Sequence, residues 1–306
     1  MSRHMQSAGF RRDELGTIIR HEDGGRDMPI QVSNQPDAFR DFERSGWNTV
    51  SEGYEAGFGP LTAQSVDVTL DAAGVIGGCD VLDVCTGHGV LALAATERGA
   101  KVSAVDFSDA MVAAARRNVP SMDCRQGDAQ DLPYPDNAFD AVVCGYGILH
   151  VPEPDRALAE MRRVLRPGGR AAISVWERPS PANGFGLLLG TVKVHGRVDV
   201  PLPHGPDFFQ FGDPEDMKAA LAQADFSDVA ATTVVQTLLL KTATGLVNLV
   251  LQGGVRIRAL LLAQDSAALS AINAAVAEGM DQLFRKGHRF QVPMPAILGS
   301  GTKPRQ

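Results

Sequence analysis

The stretch Val81–Leu93, VLDVCTGHGVLAL, restricts what this chain can fold into more than any other. Val81 to Val84 is apolar apart from Asp83 and reads as a buried parallel strand. Cys85 to Gly89 then turn the chain, and Val90 to Arg98 has the Ala/Leu content of a helix. A strand, a glycine turn and a helix put backbone N–H groups and a helix N-terminus at the mouth of a sheet. That is a site for the polar end of a nucleotide-like ligand. Gly87 and Gly89 let the backbone approach such a ligand with no Cβ between them. Alone, Gly87-x-Gly89-x-x-Ala92 also fits a dinucleotide fingerprint. Asp83 weighs against that reading, because a carboxylate at the strand end repels a pyrophosphate and suits an ammonium group.

From Cys79 onward, strands and helices alternate, the pattern of a doubly wound parallel sheet with helices on both faces. The second strand, Lys101 to Val105, ends in Asp106, where a carboxylate can accept both hydroxyls of a ribose. Phe107 and Met111 follow, placed to flank a base. A third strand near Met122 to Arg125 leads into Gly127-Asp128-Ala129-Gln130. A fourth, near Ala141 to Cys144, leads into Gly145-Tyr146-Gly147-Ile148-Leu149-His150. Pro167-Gly168-Gly169 turns the chain into a fifth, Ala171 to Trp176. A sixth strand is expected over about Ala230 to Leu240 and a last one over about Phe290 to Gly299. Pro293 and Pro295 would confine that last strand to an edge or a bulge. Upstream, Asp37 to about Gly74 reads as helical, broken at Gly57, Gly59 and Pro60. Phe39, Phe42, Trp47, Val50 and Tyr54 form its buried stripe.

At these residues the chain resembles the class I S-adenosylmethionine-dependent methyltransferases, whose first motif is an acidic residue followed by a glycine-rich turn. Cys85 departs from the pattern, standing where the family often has its first glycine. The run Gly127-Asp128-Ala129-Gln130-Asp131-Leu132-Pro133-Tyr134, followed by Phe139-Asp140, resembles the family's adenine loop and fourth-strand entry. Leu165-Arg166-Pro167-Gly168-Gly169 resembles its turn before the fifth strand. The resemblance covers residues 37 to 178, extends more loosely over 213 to 240, and is closest to small-molecule enzymes of the ubiquinone/menaquinone-biosynthesis type.

The resemblance implies a Rossmann-like sheet of about seven strands, the last antiparallel, with S-adenosyl-L-methionine as cofactor. Its methionine end falls to Asp83, Cys85, Thr86, Gly87, His88 and Gly89, and its ribose to Asp106. The adenine falls to Phe107, Met111 and the loop of Gly127, Asp128, Ala129 and Gln130, with Cys144 at the end of the fourth strand. The N-terminal helices would cover it, which makes Trp47 and Tyr54 candidates for contact. The main domain spans residues 31–240 and 289–306, after a mobile segment over 1–30. Residues 177–212 and 241–288 leave the carboxyl edge of the sheet and are expected to roof the site. The run of Leu, Val and Ile from Leu246 to Leu262 suggests an apolar lid over a small hydrophobic acceptor. Tyr146, His150 and Arg256 are its candidate polar contacts. The sulfonium is already an activated donor, so positioning supplies most of the catalysis. A base is needed only where the nucleophile carries a proton of high pKa, and His150 is the candidate.

Composition narrows the alternatives. A net charge of −7 argues against a nucleic-acid partner. The absence of an Asn/Asp-Pro-Pro-aromatic run after the fourth strand argues against methylation of a planar amide or base nitrogen. No apolar run approaches the ~20 residues of a membrane span, and the N-terminus carries no apolar stretch of the signal-peptide kind. Cys79, Cys85, Cys124 and Cys144 form no CxxC pair and read as core hydrophobes in a reducing cytoplasm. No metal site is evident, and the oligomeric state is left open. A non-methylating use of the same cofactor, an NAD-dependent oxidoreductase and a non-catalytic relative of the fold remain as competing readings.

Overall fold

The computed structural model describes residues 36–305 and two short strands, 10–12 and 18–20. Phe10–Arg12 and Ile18–Arg20 pair antiparallel. The rest of the segment expected to be mobile lies outside the described residues.

One sheet of seven strands organises the molecule. In chain order these are β1 (Asp80–Val84), β2 (Lys101–Asp106), β3 (Asp123–Gln126), β4 (Phe139–Gly145), β5 (Leu165–Trp176), β6 (Ser227–Val234) and β7 (Ala296–Thr302). Their order across the sheet is β3-β2-β1-β4-β5-β7-β6. Pairings from β3 to β5 are parallel, while β7 runs antiparallel to both β5 and β6. β1, β4 and the second half of β5 are almost completely buried, as their continuous apolar runs require between two helical layers.

The long N-terminal helix α1 (Pro36–Gly57) lies over the carboxyl edge, and α2 (Val66–Ala72) packs on the face of β5. Helices α3 (Val90–Glu97), α4 (Asp109–Asn118) and α5 (Pro154–Val164) connect the parallel strands. Ser108 caps α4, its hydroxyl accepting from the Met111 N–H at 3.2 Å. Chain exit from α5 is stabilised by Lys303, whose ammonium donates to Leu165 O at 2.8 Å and Arg163 O at 3.1 Å.

After β5 the chain forms α6 (Gly184–His195), a long loop and α7 (Pro214–Gln223), which Asp213 caps through the Glu215 N–H. Between β6 and β7 it builds a separate unit: α8 (Gly245–Gly253), α9 (Arg256–Leu262) and α10 (Ser266–Leu283). A small antiparallel sheet of Thr237–Leu240, Arg289–Pro293 and Arg285–Lys286 completes this unit. α8 lies against α1 so closely that a Cβ on Gly53 would sit 2.2 Å from the carbonyl oxygen of Gln252.

Two strand assignments from sequence change here. The expected sixth strand is two strands, because the chain leaves the main sheet after Val234 and Thr237–Leu240 pairs with Arg289–Pro293 instead. The expected last strand divides likewise. Pro293 ends the small-sheet strand, Pro295 lies in the link, and β7 begins at Ala296 as an interior strand rather than an edge. The prolines punctuate the two sheets, which leaves β7 free to donate on both sides. Residues 289–293 therefore belong with the insertion and not with the main sheet.

Candidate functional site

The carboxyl ends of β1, β2 and β4 open into one cavity of about 1340 Å³, mouth included. Three acidic side chains mark one half. Asp83 is the penultimate residue of β1, Asp106 ends β2, and Asp128 stands in the loop after β3.

Asp83 is 1% exposed. Its Oδ2 accepts from Thr86 Oγ1 at 2.7 Å and from the Ala92 N–H at 3.1 Å, whereas Oδ1 is buried with no hydrogen-bond partner. Burial pushes its carboxyl up to about 7, with the Thr86 and Ala92 hydrogen bonds pulling the other way. An unpartnered carboxylate oxygen at the cavity wall is costly alone, and a ligand cation would offset that cost. Asp106 accepts from the Gly87 N–H on Oδ2 and the Ser108 N–H on Oδ1, both at 2.9 Å. Burial raises it to about 6. Each of its oxygens keeps acceptor capacity for a hydroxyl. The third carboxylate, Asp128, is pinned by the Gln130 N–H at 2.9 Å and lies 3.5 Å from Arg40 Nη1.

Between the first two carboxylates runs the turn Cys85–Gly89. Cys85 occupies the left-handed region, φ +56°, which a glycine adopts without cost and other residues adopt under strain. Its side chain leaves no room opposite: a Cβ on Gly147 would sit 2.2 Å from Cys85 Cβ and 3.0 Å from Cys85 Sγ. The neighbouring Cys144 thiol and burial together hold the Cys85 thiol well above its ordinary range. His88 lines the cavity with its Nδ1 buried and unpartnered, and burial lowers its pKa. Its ring stands 5.8 Å from that of Tyr54.

The other half of the cavity is aromatic. Trp47 and Tyr54 from α1 meet edge to face at 5.0 Å. Trp176 at the end of β5 contacts Tyr146 at 4.2 Å and Phe185 of α6 at 5.5 Å. Phe208 closes this side, 5.5 Å from the ring of His150. His150 ends the short helical turn after β4, and its Nδ1 is 2.9 Å from Glu43 Oε2. Arg256, at the start of α9, puts its Nε 3.8 Å from Glu43 Oε1.

Most of the residues singled out from sequence line this cavity: Tyr54, Asp83, Cys85, Thr86, Gly87 and His88 on one stretch of wall. Asp106, Phe107, Met111, Gly127, Asp128 and Ala129 form the next, and Tyr146, His150 and Arg256 line the aromatic side. Gly89, Gln130 and Cys144 do not reach the lining. Gly89 heads α3 with φ +88°. Gln130 braces Asp128 and accepts from the Glu153 N–H at 2.7 Å, and Cys144 sits fully buried behind Cys85. The Tyr146 hydroxyl is engaged by Ser65 and Gln236, each at 2.9 Å, so only its ring faces the cavity. Sequence reasoning passed over Arg40, Glu43, Phe185 and Phe208. Glu43 did carry a signal: it lies one helical turn from Phe39 and from Trp47, a charge inside an apolar stripe.

A sheet of this order, with β7 reversed and carboxylates at the ends of its first two strands, is the architecture of the class I S-adenosylmethionine-dependent methyltransferases. Residues 82–173 match a family described as a methyltransferase domain. A demethylmenaquinone methyltransferase of Thermus thermophilus is 36% identical over 183 residues, which cover 54% of this chain and 80% of that protein. One of Renibacterium salmoninarum is 41% identical over 113 residues, covering 37% and 48%. This chain spans about half the length of the first curated relatives it matches. Haemonchus contortus phosphoethanolamine N-methyltransferase 2, in complex with S-adenosyl-L-methionine, shares the fold at a TM-score of 0.54 and 21% identity, over 91% of this chain and 62% of that one. The chain belongs to the class I S-adenosylmethionine-dependent methyltransferases, among those of the quinone-biosynthesis type.

Proposed function

We propose that this chain transfers a methyl group from S-adenosyl-L-methionine to a small, planar, largely apolar acceptor, for which a reduced naphthoquinone ring is the leading candidate. The observation that carries the reading is the division of one cavity into a carboxylate half and an aromatic half. When bound, the cofactor supplies a methyl on a sulfonium, whose carbon–sulfur electron pair leaves with sulfur as the acceptor's pair forms the new bond.

The chain's own residues account for binding and orientation. Asp83 Oδ1 takes the ammonium, which resolves its lack of a partner. Asp106 accepts the ribose hydroxyls, and Asp128 the adenine amino group, with Phe107 and Met111 flanking the ring. Trp47 and Tyr54 of α1 bridge the two halves, Tyr54 beside His88 at 5.8 Å and Trp47 beside His150 at 4.8 Å. On the acceptor side Trp176, Phe185 and Phe208 form flat walls that exclude water and hold a planar ring. Residues 177–212 contribute Phe185 and Phe208 and the 241–288 unit contributes Val250, Gly254 and Arg256, so both segments serve as the lid. His150 takes the proton of an acceptor hydroxyl. The similarity to quinone methyltransferases supports the acceptor class, and no single described helix is long and apolar enough to cross a membrane.

The test is calorimetric titration with S-adenosylmethionine, S-adenosylhomocysteine and NADH, with Asp106→Ala alongside. Micromolar binding of the first two, lost in the variant and absent for NADH, is expected. Transfer of a labelled methyl to an alkyl-dihydroxynaphthalene then tests the acceptor. Binding of NADH instead overturns the cofactor, and cofactor binding without transfer overturns the acceptor.

A further inference from the structure

Glu43 is 0% exposed, carries a carboxylate, and belongs to none of the motifs that hold the cofactor. A buried carboxylate persists only where charge and hydrogen bonds compensate its lost hydration. Here two groups do so. His150 Nδ1 lies 2.9 Å from Oε2, and the Arg256 guanidinium lies 3.8 Å from Oε1, which has no hydrogen-bond partner. Arg256 is itself held rather than free. Its Nη2 donates to Pro206 O at 2.9 Å, and its guanidinium stands over the rings of Phe39 at 5.1 Å and Phe208 at 5.5 Å. The three residues come from the N-terminal helix, the turn after β4 and the insertion, so the cluster exists only when all three are docked.

An ionised carboxylate can only accept, so Nδ1 of His150 is its protonated nitrogen and Nε2 is left as the basic one. The ring plane is fixed as well, by Trp47 edge-on at 4.8 Å and Phe208 at 5.5 Å. His150 lines the cavity on the acceptor side. We propose that Glu43 is a positioning residue that selects the His150 tautomer with a free Nε2, and that Arg256 sustains the Glu43 charge from the insertion side. This rests on the methyltransferase reading given above. The proton of an acceptor hydroxyl passes to Nε2 as the oxygen's electron density is released into the nucleophile. The imidazolium so formed faces the Glu43 carboxylate, and the proton then leaves to water. The logic is that of a carboxylate orienting a histidine base and stabilising its charged form.

The test reads the ring directly and needs no acceptor. Histidine-labelled protein is examined by nitrogen NMR at a pH where His150 is neutral, with His150→Ala to assign the signals. The wild type is expected to show protonation at Nδ1, the tautomer that free histidine disfavours. Glu43→Met is expected to shift it toward Nε2 protonation while S-adenosylhomocysteine affinity stays within about twofold. Should Glu43→Met fail to fold because Arg256 is left unpaired, the Glu43→Met/Arg256→Met pair removes both charges and makes the same test. With the alkyl-dihydroxynaphthalene as acceptor, Glu43→Met is expected to lower kcat on the order of 100-fold with little change in KM. Adding it to His150→Ala should cost nothing further, because the two act as a unit. Protonation of wild-type His150 at Nε2, or an equal loss from Glu43→Met with and without His150, overturns the proposal. Absence of transfer in the wild type counts against the acceptor reading alone, since the nitrogen signals still decide the role of Glu43.

Discussion

Gly147 and Cys85 divide one small volume between them, and a double substitution measures the division. Gly147 has φ −82°, a backbone any residue adopts, so Gly147→Ala introduces no backbone strain. Its new Cβ would fall 2.2 Å from Cys85 Cβ, 3.0 Å from Cys85 Sγ and 3.3 Å from Cys144 Sγ. Overpacking of this kind costs about 1–3 kcal/mol. Cys85→Gly removes the two closest of these contacts and places glycine where φ is +56°. Relief of the left-handed conformation returns about 1–2 kcal/mol, against about 0.5–1 kcal/mol for the greater freedom of glycine in the unfolded chain. Cys85→Gly alone is therefore expected within about 1 kcal/mol of wild type. The double variant is expected to recover most of the loss of Gly147→Ala, a coupling of at least about 1 kcal/mol. Urea midpoints at unchanged slope give these differences. A Gly147→Ala penalty that is the same in both backgrounds would refute the packing argument.

Other outcomes follow from the site. At pH 7 a carboxyl raised to about 7 is half protonated, and Asp106 at about 6 mostly ionised. Binding of S-adenosylhomocysteine, whose ammonium would ionise Asp83, should thus release on the order of half a proton at pH 7 and close to one at pH 6, read from calorimetry in buffers of different ionisation enthalpy. Release that does not rise as pH falls from 8 to 6 counts against it. The sign for the free protein is the reverse of the usual carboxylate case. Both pKa values are raised from 3.8, so this contribution to stability is full below about pH 4 and is lost as pH rises through 6 and 7. Gly53→Ala should push α8 off α1, because its Cβ meets Gln252 O at 2.2 Å. Acceptor KM should then rise at least several-fold with cofactor affinity unchanged, and an unchanged KM removes α8 from the lid. Tyr146→Phe strands the buried Ser65 and Gln236 groups that its hydroxyl joins, at a cost of about 1–3 kcal/mol in urea unfolding. A neutral effect would mean those groups find other partners.

The part of the site written in local sequence was legible. Asp83, Asp106 and Asp128 each lie at a strand end or follow it closely, and the strand-turn-helix rhythm announces where those ends lie. What could not be read depends on long-range closure. Glu43 and His150 are 107 positions apart in the chain, and only the docking of α1 joins them. Phe185 and Phe208 sit in segments without periodicity, where nothing local says which ring turns inward. Cys85 was visible as a departure from a glycine, but its left-handed backbone and its claim on Gly147 follow from packing across the sheet edge. The prolines at 293 and 295 were read for what they forbid within a strand. They also end one strand and precede the next, a punctuation that becomes visible only once two sheets are known.

The place of β7 bears on how the molecule is assembled in time. β6 has β7 as its only neighbour in the main sheet among the described residues. Ser227–Val234 therefore has no ladder to join until Ala296–Thr302 has emerged and docked against β5. Until then β5 presents an unpaired edge, the kind of surface that invites pairing with another chain. The late pairing is of long sequence separation, which makes for slow closure. The unit of α8, α9 and α10 is meanwhile tethered at one end only, and α1 gains its partner at Gly53 late. During synthesis the carboxylate half can consolidate first, while the side of the cavity lined by α8 and α9 waits for the last strand.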